Sequence, residues 1–311
     1  NKSTLYYYAA KDKKYETPIL IVYSLVNKPL ILDFAPGASC VEGLMNLGYD
    51  VYLLDWGEPG YEDRDISLSD YVADYLDKAV KRVLRHSHAE DITLFGYCLG
   101  GTLAAMYTAI TDEPVKNLIV ATIPVDFSVM AGPKKWAEGL KNGDLNISRL
   151  VDVYGNIPAS FMQSMFRATT SPVYYTPYVS LLNRAYDKKY VDKWARMNKW
   201  TSGHVDFAGA AFKQMIEDFT KENKLIKGEL NIRGKQVDLK NITSNVFAIA
   251  SKRDQIVPIE QTEPFIDLVS SEDKTYKVVD AGHVSLAFSK GFPEMLDEWL
   301  RTRSNELVAA H

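Results

Sequence analysis

Cysteine is scarce in this sequence, because only Cys40 and Cys98 occur among 311 residues. Two thiols cannot build the disulfide framework of a small secreted scaffold, so we expect a reducing compartment and a cytoplasmic location. An excess of cationic residues is also missing, since 36 Lys and Arg stand against 40 Asp and Glu and give a net charge of −4. Without a basic footprint for phosphates, nucleic acid is not an expected partner.

Long hydrophobic runs are absent as well. The most apolar early stretch, residues 18–25, is too short to cross a bilayer and is typical of a buried strand. We therefore expect no transmembrane segment, and no secretory signal is visible. The sequence also lacks a cluster of metal ligands, a glycine-rich nucleotide loop and a redox motif, since DWGEPG (55–60) does not have the required spacing. We expect no metal and no cofactor.

Strand and helix patterns alternate up to about residue 128. Strand-like segments lie at 19–26, 30–34, 50–55, 92–95 and 117–123, and helical patterns lie at 39–47 and 69–86. Gly48 is the predicted C-cap of the first of these helices. The alternation resumes with strands at 245–250 and 276–279 and a helix at 292–301. This order predicts an α/β fold with a mostly parallel sheet and helices on both faces.

The segment between these two blocks differs in composition. Residues 129–243 are rich in Tyr, Trp, Met and Phe, as in SFMQSMF (160–166), SPVYYTPYV (171–179) and KKYVDKWARMNKW (188–200). We predict that they form a mainly helical cap over a core domain made of 1–128 and 244–311. The aromatic residues either form the core of this cap or belong to a lid that faces an apolar substrate.

A cysteine stands at the centre of the most informative motif. Residues 91–102 read DITLFGYCLGGT, in which an apolar strand runs through Gly96, Cys98 and Gly100 into a helix of small residues. This is the strand-to-helix turn of G-x-S-x-G hydrolases, with cysteine in place of serine. The turn exposes the side chain at the positive end of a helix, which favours a reactive thiolate. The alternative is a buried structural cysteine, and packing is the expected role of Cys40.

Asp254 and His283 are the candidate partners of Cys98, because each comes just after a strand-like segment. The chain order of nucleophile, acid and histidine is that of α/β-hydrolase triads, in which the acid orients the imidazole and stabilises its cation. Asp254 could instead cap a helix, and Asp126 competes for the role of the acid. The remaining histidines are expected at turns, in the insertion or at the terminus: His86, His88, His204 and His311.

With these residues the chain resembles the catalytic subunit of polyhydroxyalkanoate synthases, particularly the two-subunit types. The resemblance runs from about Leu5 to the C-terminal helix, and these stretches match: TPILIVYSLVNKPLILDFAPG (17–37), GYDVYLLDWGEP (48–59), FGYCLGGT (95–102), KENKLIKGEL (221–230), SKRDQIVP (251–258) and AGHVSL (281–286). The resemblance implies an α/β-hydrolase core with a cap. It also implies polymerisation of short-chain (R)-3-hydroxyacyl-CoA, such as 3-hydroxybutyryl-CoA, into polyester with release of CoA. CoA is then part of the substrate and not a cofactor.

The resemblance implies partners and residue roles too. A second synthase subunit, the growing polyester and the granule surface are the implied partners, and a homodimer is compatible with it. Cys98 would hold the growing chain as a thioester, His283 would deprotonate Cys98, and either His283 or Asp254 would activate the 3-hydroxyl of the next acyl group. The backbone N–H of Leu99 would form half of the oxyanion hole, and the loop at 33–37 would form the other half.

Two other functions stay open on the sequence alone. A cysteine-dependent α/β-hydrolase that acts on thioesters or lactones would share the motif but would use water as the acceptor. A non-enzymatic granule-binding or scaffold protein would not need Cys98, Asp254 and His283 in triad order.

Overall fold

A seven-stranded sheet forms the centre of the computed structural model, which describes residues 2–129, 138–139, 142, 147–170 and 176–307. The strand order is β1-β3-β2-β4-β5-β8-β9; β1 pairs antiparallel with β3, and the other neighbouring pairs are parallel. The strands of this sheet are β1 (Thr4–Tyr8), β2 (Ile19–Val22), β3 (Val51–Asp55), β4 (Ile92–Tyr97), β5 (Val115–Ala121), β8 (Asn245–Ser251) and β9 (Lys274–Val279). A separate hairpin consists of β6 (Leu230–Ile232) and β7 (Lys235–Val237).

Helices connect the strands and fill the insertion. They are α1 (Cys40–Leu47), α2 (68–87), α3 (Leu99–Ile110), α4 (Ile147–Tyr154), α5 (Ala159–Thr170), α6 (Thr176–Asn183), α7 (Lys188–Thr201), α8 (Gly209–Gln214), α9 (Lys224–Lys227), α10 (Ile259–Thr262), α11 (Phe265–Leu268), α12 (His283–Leu286) and α13 (Phe292–Leu300). The middle of α2, Tyr71–Leu76, is π-helical, and a π-helical segment, Met215–Lys221, continues α8.

Burial on both faces of the central strands explains why helices cover both sides of the sheet. All six residues of β4 are buried. One face of the sheet packs against an apolar cluster that includes α2 and α3, and the other packs against α1 and α13. Parallel strands that are buried on both faces are typical of α/β proteins. The predicted mostly parallel sheet with helices on both faces is confirmed.

The ends of α1 follow the local chemistry of the sequence. The Ser39 hydroxyl accepts a hydrogen bond from the Glu42 N–H at 2.9 Å, which satisfies one free donor of the first turn. At the other end, Gly48 has a φ of 104° and donates its N–H to carbonyls of the last turn. Glycine adopts this left-handed conformation without a steric penalty. Gly48 is therefore the C-cap that the sequence predicted.

The prediction of a strand at 30–34 is wrong, and the strand predicted at 19–26 is shorter than expected. β2 ends at Val22, and Pro29–Asp33 forms a 3-10 helix with proline at its start. Proline sets a helical φ at this position and has no N–H for a ladder hydrogen bond. Periodicity could not separate the two outcomes, because a short apolar run fits a strand and a buried helical turn equally well.

The described part of the insertion is mainly helical and contains α4 to α9. Its later portion shares a buried cluster with α3, to which Phe212, Leu230 and Ile242 contribute. The division into a core domain (1–128 and 244–311) and a cap (129–243) stays a prediction. Residues 171–175 and His311 lie outside the described residues. Among the helices that the structure describes, none has the length and apolarity needed to cross a membrane.

Candidate active site

Cys98 occupies the turn between β4 and α3. Its φ of 54° and ψ of −133° fall in a region that residues other than glycine rarely adopt. Glycines on both sides let the chain pack closely. A Cβ on Gly96 would lie 2.4 Å from the Cα of Gly101, and a Cβ on Gly100 would lie 2.2 Å from the Val22 carbonyl oxygen. Larger residues at Gly96 and Gly100 would therefore push the turn apart.

The α3 helix begins directly after Cys98, so the backbone N–H groups of its first turn lie beside this residue. Leu99 is the first residue of the helix, so its N–H has no carbonyl partner within the helix. The Cys98 carbonyl accepts the Gly101 N–H at 2.8 Å and closes the turn. The aligned peptide dipoles of α3 place partial positive charge at this end of the helix, which favours an anion beside it.

Asp254 and His283 lie side by side. Asp254 follows β8, His283 begins α12 after β9, and His283 Nδ1 is 2.6 Å from Asp254 Oδ2. The other carboxylate oxygen of Asp254 accepts the N–H groups of Ile256 and Val257, both at 2.8 Å. The Asp254 side chain is fully buried, whereas 9% of the His283 side chain is exposed. The carboxylate thus fixes the orientation of the ring and favours a proton on Nδ1.

The imidazole of His283 is protonated over an unusually wide pH range. Burial opposes the charged ring, but the negative charges of Cys98 and Asp254 and their hydrogen bonds outweigh burial and raise the pKa of His283 to about 10. The hydroxyl of Tyr97, the residue before Cys98, donates to the His283 carbonyl at 2.5 Å. His283 is therefore coupled to both Asp254 and Cys98, and Tyr97 holds the backbone of the histidine beside them.

Asp126, the competing candidate for the acid, has other partners. Its Oδ1 accepts hydrogen bonds from Asn223 Nδ2 at 2.8 Å and from the Ser128 N–H at 2.9 Å. Asp254 is also not a helix cap, since the next helix, α10, has Pro258 at its N-cap. The structure thus pairs His283 with Asp254 among the two carboxylates that the sequence proposed.

Cys98 and His283 line a cavity of about 350 Å³. Side chains of α5 and α7 form much of its wall, opposite residues of the loop after β2. Aromatic and aliphatic residues, including Tyr23, Phe166, Tyr178, Trp194 and Trp200, make up half of the lining, and most of the surface exposed to the cavity is apolar. Polar residues make up the other half, among them Gln163, Arg167 and Asn198. Such a cavity suits an acyl chain with few polar atoms.

Four of the described histidines have distinct surroundings. His204, which lies in the insertion as expected, lines the cavity. Burial lowers the pKa of its imidazole, so the ring is neutral near pH 7. His86 Nδ1 pairs with the Tyr52 hydroxyl at 2.7 Å, and His88 is the left-handed C-cap of α2. Of these residues, His283 is the one that pairs with Asp254.

The loop after β2 is the part of the site that the sequence analysis missed. β2 pairs directly with β4, and Tyr23 and Ser24, which follow it, line the cavity. The loop predicted for this position, 33–37, does not line the cavity; there Asp33 accepts a hydrogen bond from Ser39 Oγ at 2.7 Å. The expectation placed this loop after a strand at 30–34, which is absent. The proline at position 29 is the signal that could have shown it.

Metal-ligating side chains do not cluster in the part of the chain that the structure describes, where no group of three or more His, Cys, Asp and Glu could hold an ion.

Solved structures with this fold include hydrolases and related enzymes. The structure of MenH from S. aureus covers 96% of this chain and is itself covered to 98%, with a TM-score of 0.61 and 15% identity. The monoacylglycerol lipase of Paleococcus ferrophilus covers 97%, is covered to 100%, and has a TM-score of 0.59 and 15% identity. A family model of the α/β hydrolase fold matches residues 18–289. These matches show the fold.

Curated relatives define the family more narrowly. The poly(3-hydroxyalkanoate) polymerase subunit PhaC of Haloferax mediterranei is 38% identical over 93% of this chain, and that of Haloarcula marismortui is 35% identical over 98%. The chain spans 59% and 66% of the length of these two relatives. The same subunit of Allochromatium vinosum is 35% identical, and the match covers 92% of this chain and 81% of that protein. The chain therefore belongs to the PhaC family of poly(3-hydroxyalkanoate) polymerase subunits, within the α/β hydrolase fold.

Proposed function

We propose that this chain polymerises (R)-3-hydroxyacyl-CoA, with 3-hydroxybutyryl-CoA as the short-chain representative, into polyester through a thioester on Cys98. One observation carries the proposal. A cysteine on the nucleophile turn lines the same apolar cavity as a histidine that is hydrogen-bonded to a buried aspartate. The curated relatives carry the name of the same polymerase subunit. We propose for this chain the polymerase activity that those relatives are named for.

Acylation of Cys98 is the first proposed step. The Cys98 thiol gives its proton to His283 before the substrate binds, in keeping with the raised pKa of that histidine, and the thiolate attacks the thioester carbonyl of the substrate. The carbon–sulfur bond to CoA breaks as the bond to Cys98 forms, and the imidazolium returns its proton to the leaving thiolate of CoA. A thiolate suits this exchange because the nucleophile and the leaving group are alike in energy.

Backbone donors stabilise the negative oxygen of the intermediate in this proposal. The Leu99 N–H at the start of α3 is one donor, and the start of the loop after β2, at Tyr23 and Ser24, supplies the other. Support comes from the contact between this loop and the turn, since a Cβ on Gly100 would lie 2.6 Å from the Tyr23 carbonyl carbon. Donors held in place before the reaction need no reorganisation as charge develops.

Elongation is the second proposed step, with His283 as the base. The 3-hydroxyl of the next hydroxyacyl-CoA attacks the Cys98 thioester, its proton passes to His283, and an ester bond replaces the bond to sulfur. The lengthened chain, still joined to CoA, then acylates Cys98 again. Asp254 is a poor candidate for this base, because its side chain has no exposed surface and both of its oxygens already accept hydrogen bonds.

Water must be excluded if the thioester is to grow. The cavity favours this outcome, because most of the surface that its lining residues expose is apolar and offers few places to hold a hydrolytic water. The second candidate function, a cysteine-dependent thioesterase or lactone hydrolase, has the same catalytic groups and differs only in its acceptor. A partner subunit is part of the proposal, since the relatives are named as subunits. A granule surface is also part of the proposal, as the place of the polyester product.

CoA release from (R)-3-hydroxybutyryl-CoA is measured with and without a candidate partner subunit, and the product is analysed for polymer and for free acid. We expect polymer from the wild type and no CoA release from Cys98→Ala. Cys40→Ala is the matched control, because Cys40 is buried in α1 and does not line the cavity; it should keep the activity. Free 3-hydroxybutyrate in place of polymer would establish the hydrolase, and turnover by Cys98→Ala would refute the mechanism.

A further inference from the structure

The loop at residues 23–28 joins β2 to the 3-10 helix and borders both the nucleophile turn and the cavity. Four of its residues line the cavity: Tyr23, Ser24, Val26 and Asn27. It carries the second oxyanion donor in the function proposed above, so the position of its backbone decides how well that donor meets the acyl oxygen. The contacts that hold this backbone in place therefore bear on the reaction.

Two tryptophan rings fix the two ends of this loop. Trp56, which follows β3 and is 7% exposed, donates its indole N–H to the Tyr23 carbonyl at 2.8 Å. Trp200, in the last turn of α7, donates its indole N–H to the Lys28 carbonyl at 3.0 Å. The first anchor belongs to the sheet, and the second belongs to the helix that forms the cavity wall.

Further hydrogen bonds join the same loop to the segment that begins with Trp200. Asn27 Nδ2 donates to the Trp200 carbonyl at 3.2 Å, and Asn27 Oδ1 accepts the Lys28 N–H at 2.7 Å. The Val205 N–H donates to the Val26 carbonyl at 3.4 Å. Because the bonds to the Trp200 carbonyl and from the Val205 N–H connect the loop to the chain at and just after the end of α7, a shift of the end of α7 moves the loop as well.

We infer that Trp200 and Asn27 are positioning residues that tie the oxyanion donor of loop 23–28 to the cavity wall. In this arrangement α7 must be in place before the donor is aligned, so Cys98 is acylated efficiently only when the cavity is closed over the substrate. The inference rests on the proposed function and deepens it. It assigns to the wall of the cavity a part in the reaction beyond excluding water.

Two reactions of the same thiol separate this role from a structural one. Acylation by a thioester passes through a negative oxygen and needs the oxyanion donors. Alkylation by iodoacetamide forms a carbon–sulfur bond at a CH₂ group with loss of iodide, so it needs the thiolate but not those donors. A loop that is out of position should therefore slow acylation and leave alkylation unchanged.

Trp200→Phe is the principal variant, because it keeps an aromatic ring and removes the indole N–H. We expect its limiting acylation rate with saturating (R)-3-hydroxybutyryl-CoA to fall about 10- to 100-fold, since removal of an oxyanion donor reduces rates by about 100- to 1000-fold and a shift is a milder change. Its alkylation rate across pH should match the wild type. Trp299→Phe is the control: Trp299 lies in α13 and does not line the cavity, and its indole N–H donates to Thr275 Oγ1 in β9 at 3.2 Å.

Asn27→Ala provides a second variant that removes a different bond to the same segment, and it should show the same separation of the two rates. The inference is overturned if acylation and alkylation fall together, or if only the substrate concentration for half-saturation changes. It is also overturned if Trp299→Phe slows acylation as much as Trp200→Phe. A wild type that is alkylated but never acylated would instead overturn the proposed function, and the inference with it.

Discussion

The charge state of His283 depends on its neighbours more than on its own chemistry. Burial alone would keep the ring neutral, as it does for His204, whose pKa lies below its usual value. For His283 the charges of Cys98 and Asp254 reverse this effect and raise the pKa to about 10. Two histidines that line one cavity are thus held in opposite protonation states near pH 7. His283 takes part in proton transfer, and His204 contributes an uncharged ring to the cavity lining.

Removal of the thiol should change this balance. In Cys98→Ala the pKa of His283 should fall well below 10, because the largest contribution that raises it is lost while burial still opposes the cation. NMR titration of ring-labelled histidine would measure the shift. Cys40→Ala should leave the titration as in the wild type, and an unchanged pKa in Cys98→Ala would show that the imidazolium does not neighbour a thiolate.

The same pKa has a consequence for stability with a definite sign. The folded protein binds the His283 proton more tightly than an unfolded chain with a pKa near 6.5. Its contribution to the free energy of unfolding is therefore fully present below pH 6.5 and is lost as the pH rises through about 10.

At the scale of elements, the nucleophile turn and the end of β2 are in direct backbone contact, which leaves no space for a side chain between them. Gly100 lies in α3 directly against the backbone of Val22 and Tyr23, and a Cβ there would overlap the Val22 carbonyl oxygen. Gly101, one residue later, would place a Cβ 3.3 Å from the Gly96 carbonyl oxygen and from Ile123. The two glycines have the same helical setting, but only at Gly100 is the obstacle rigid backbone at 2.2 Å.

This difference predicts unequal effects of alanine. Gly100→Ala should lower the free energy of unfolding by about 1–3 kcal/mol, the usual result of overpacking. It should also slow acylation of Cys98, because loop 23–28 must move. Gly101→Ala should have a smaller effect, because a Cβ there meets its neighbours only at 3.3 Å, and the advantage of alanine over glycine within a helix, about 1 kcal/mol, offsets that contact. Urea unfolding and acylation rates of both variants test this, and equal losses at the two positions would contradict it.

The order of strands and helices made it predictable that Cys98, Asp254 and His283 lie near each other. The contacts of loop 23–28 and of the tryptophans that bind it could not be predicted in this way. Parallel strands bring their carboxyl ends to one edge of a sheet, so residues that follow β4, β8 and β9 must lie near each other. Loop 23–28 was missed because a short apolar run gives no reliable sign of strand or helix. Trp56 and Trp200 could not be assigned, since their partners depend on how α7 packs against the sheet.

At the scale of the whole molecule, a firmly packed sheet supports a more weakly packed cavity wall. Every residue of β4 is buried, and the interior residues of β5 and β8 are buried too. By contrast, α6 and α7 contain no buried residue, although α7 lines the cavity and is bonded to loop 23–28. Elements with few buried contacts open locally at lower free energy than the core. Substrate entry is therefore expected to use motion of this wall and not of the sheet.

Amide hydrogen exchange should distinguish the central sheet from the cavity wall formed by α6 and α7. In the free protein the amides of β4 and β5 should exchange slowest, through global unfolding, and those of α6 and α7 should exchange through local opening. Adding (R)-3-hydroxybutyryl-CoA to Cys98→Ala, which cannot form the thioester, should slow exchange in α7, because the ligand fills the cavity that α7 lines. The α13 helix, which contributes no residue to the cavity lining, should not respond. If α7 were as protected as β4 without ligand, the wall would open only with the whole fold, and alignment of the oxyanion donor could not be linked to its closure.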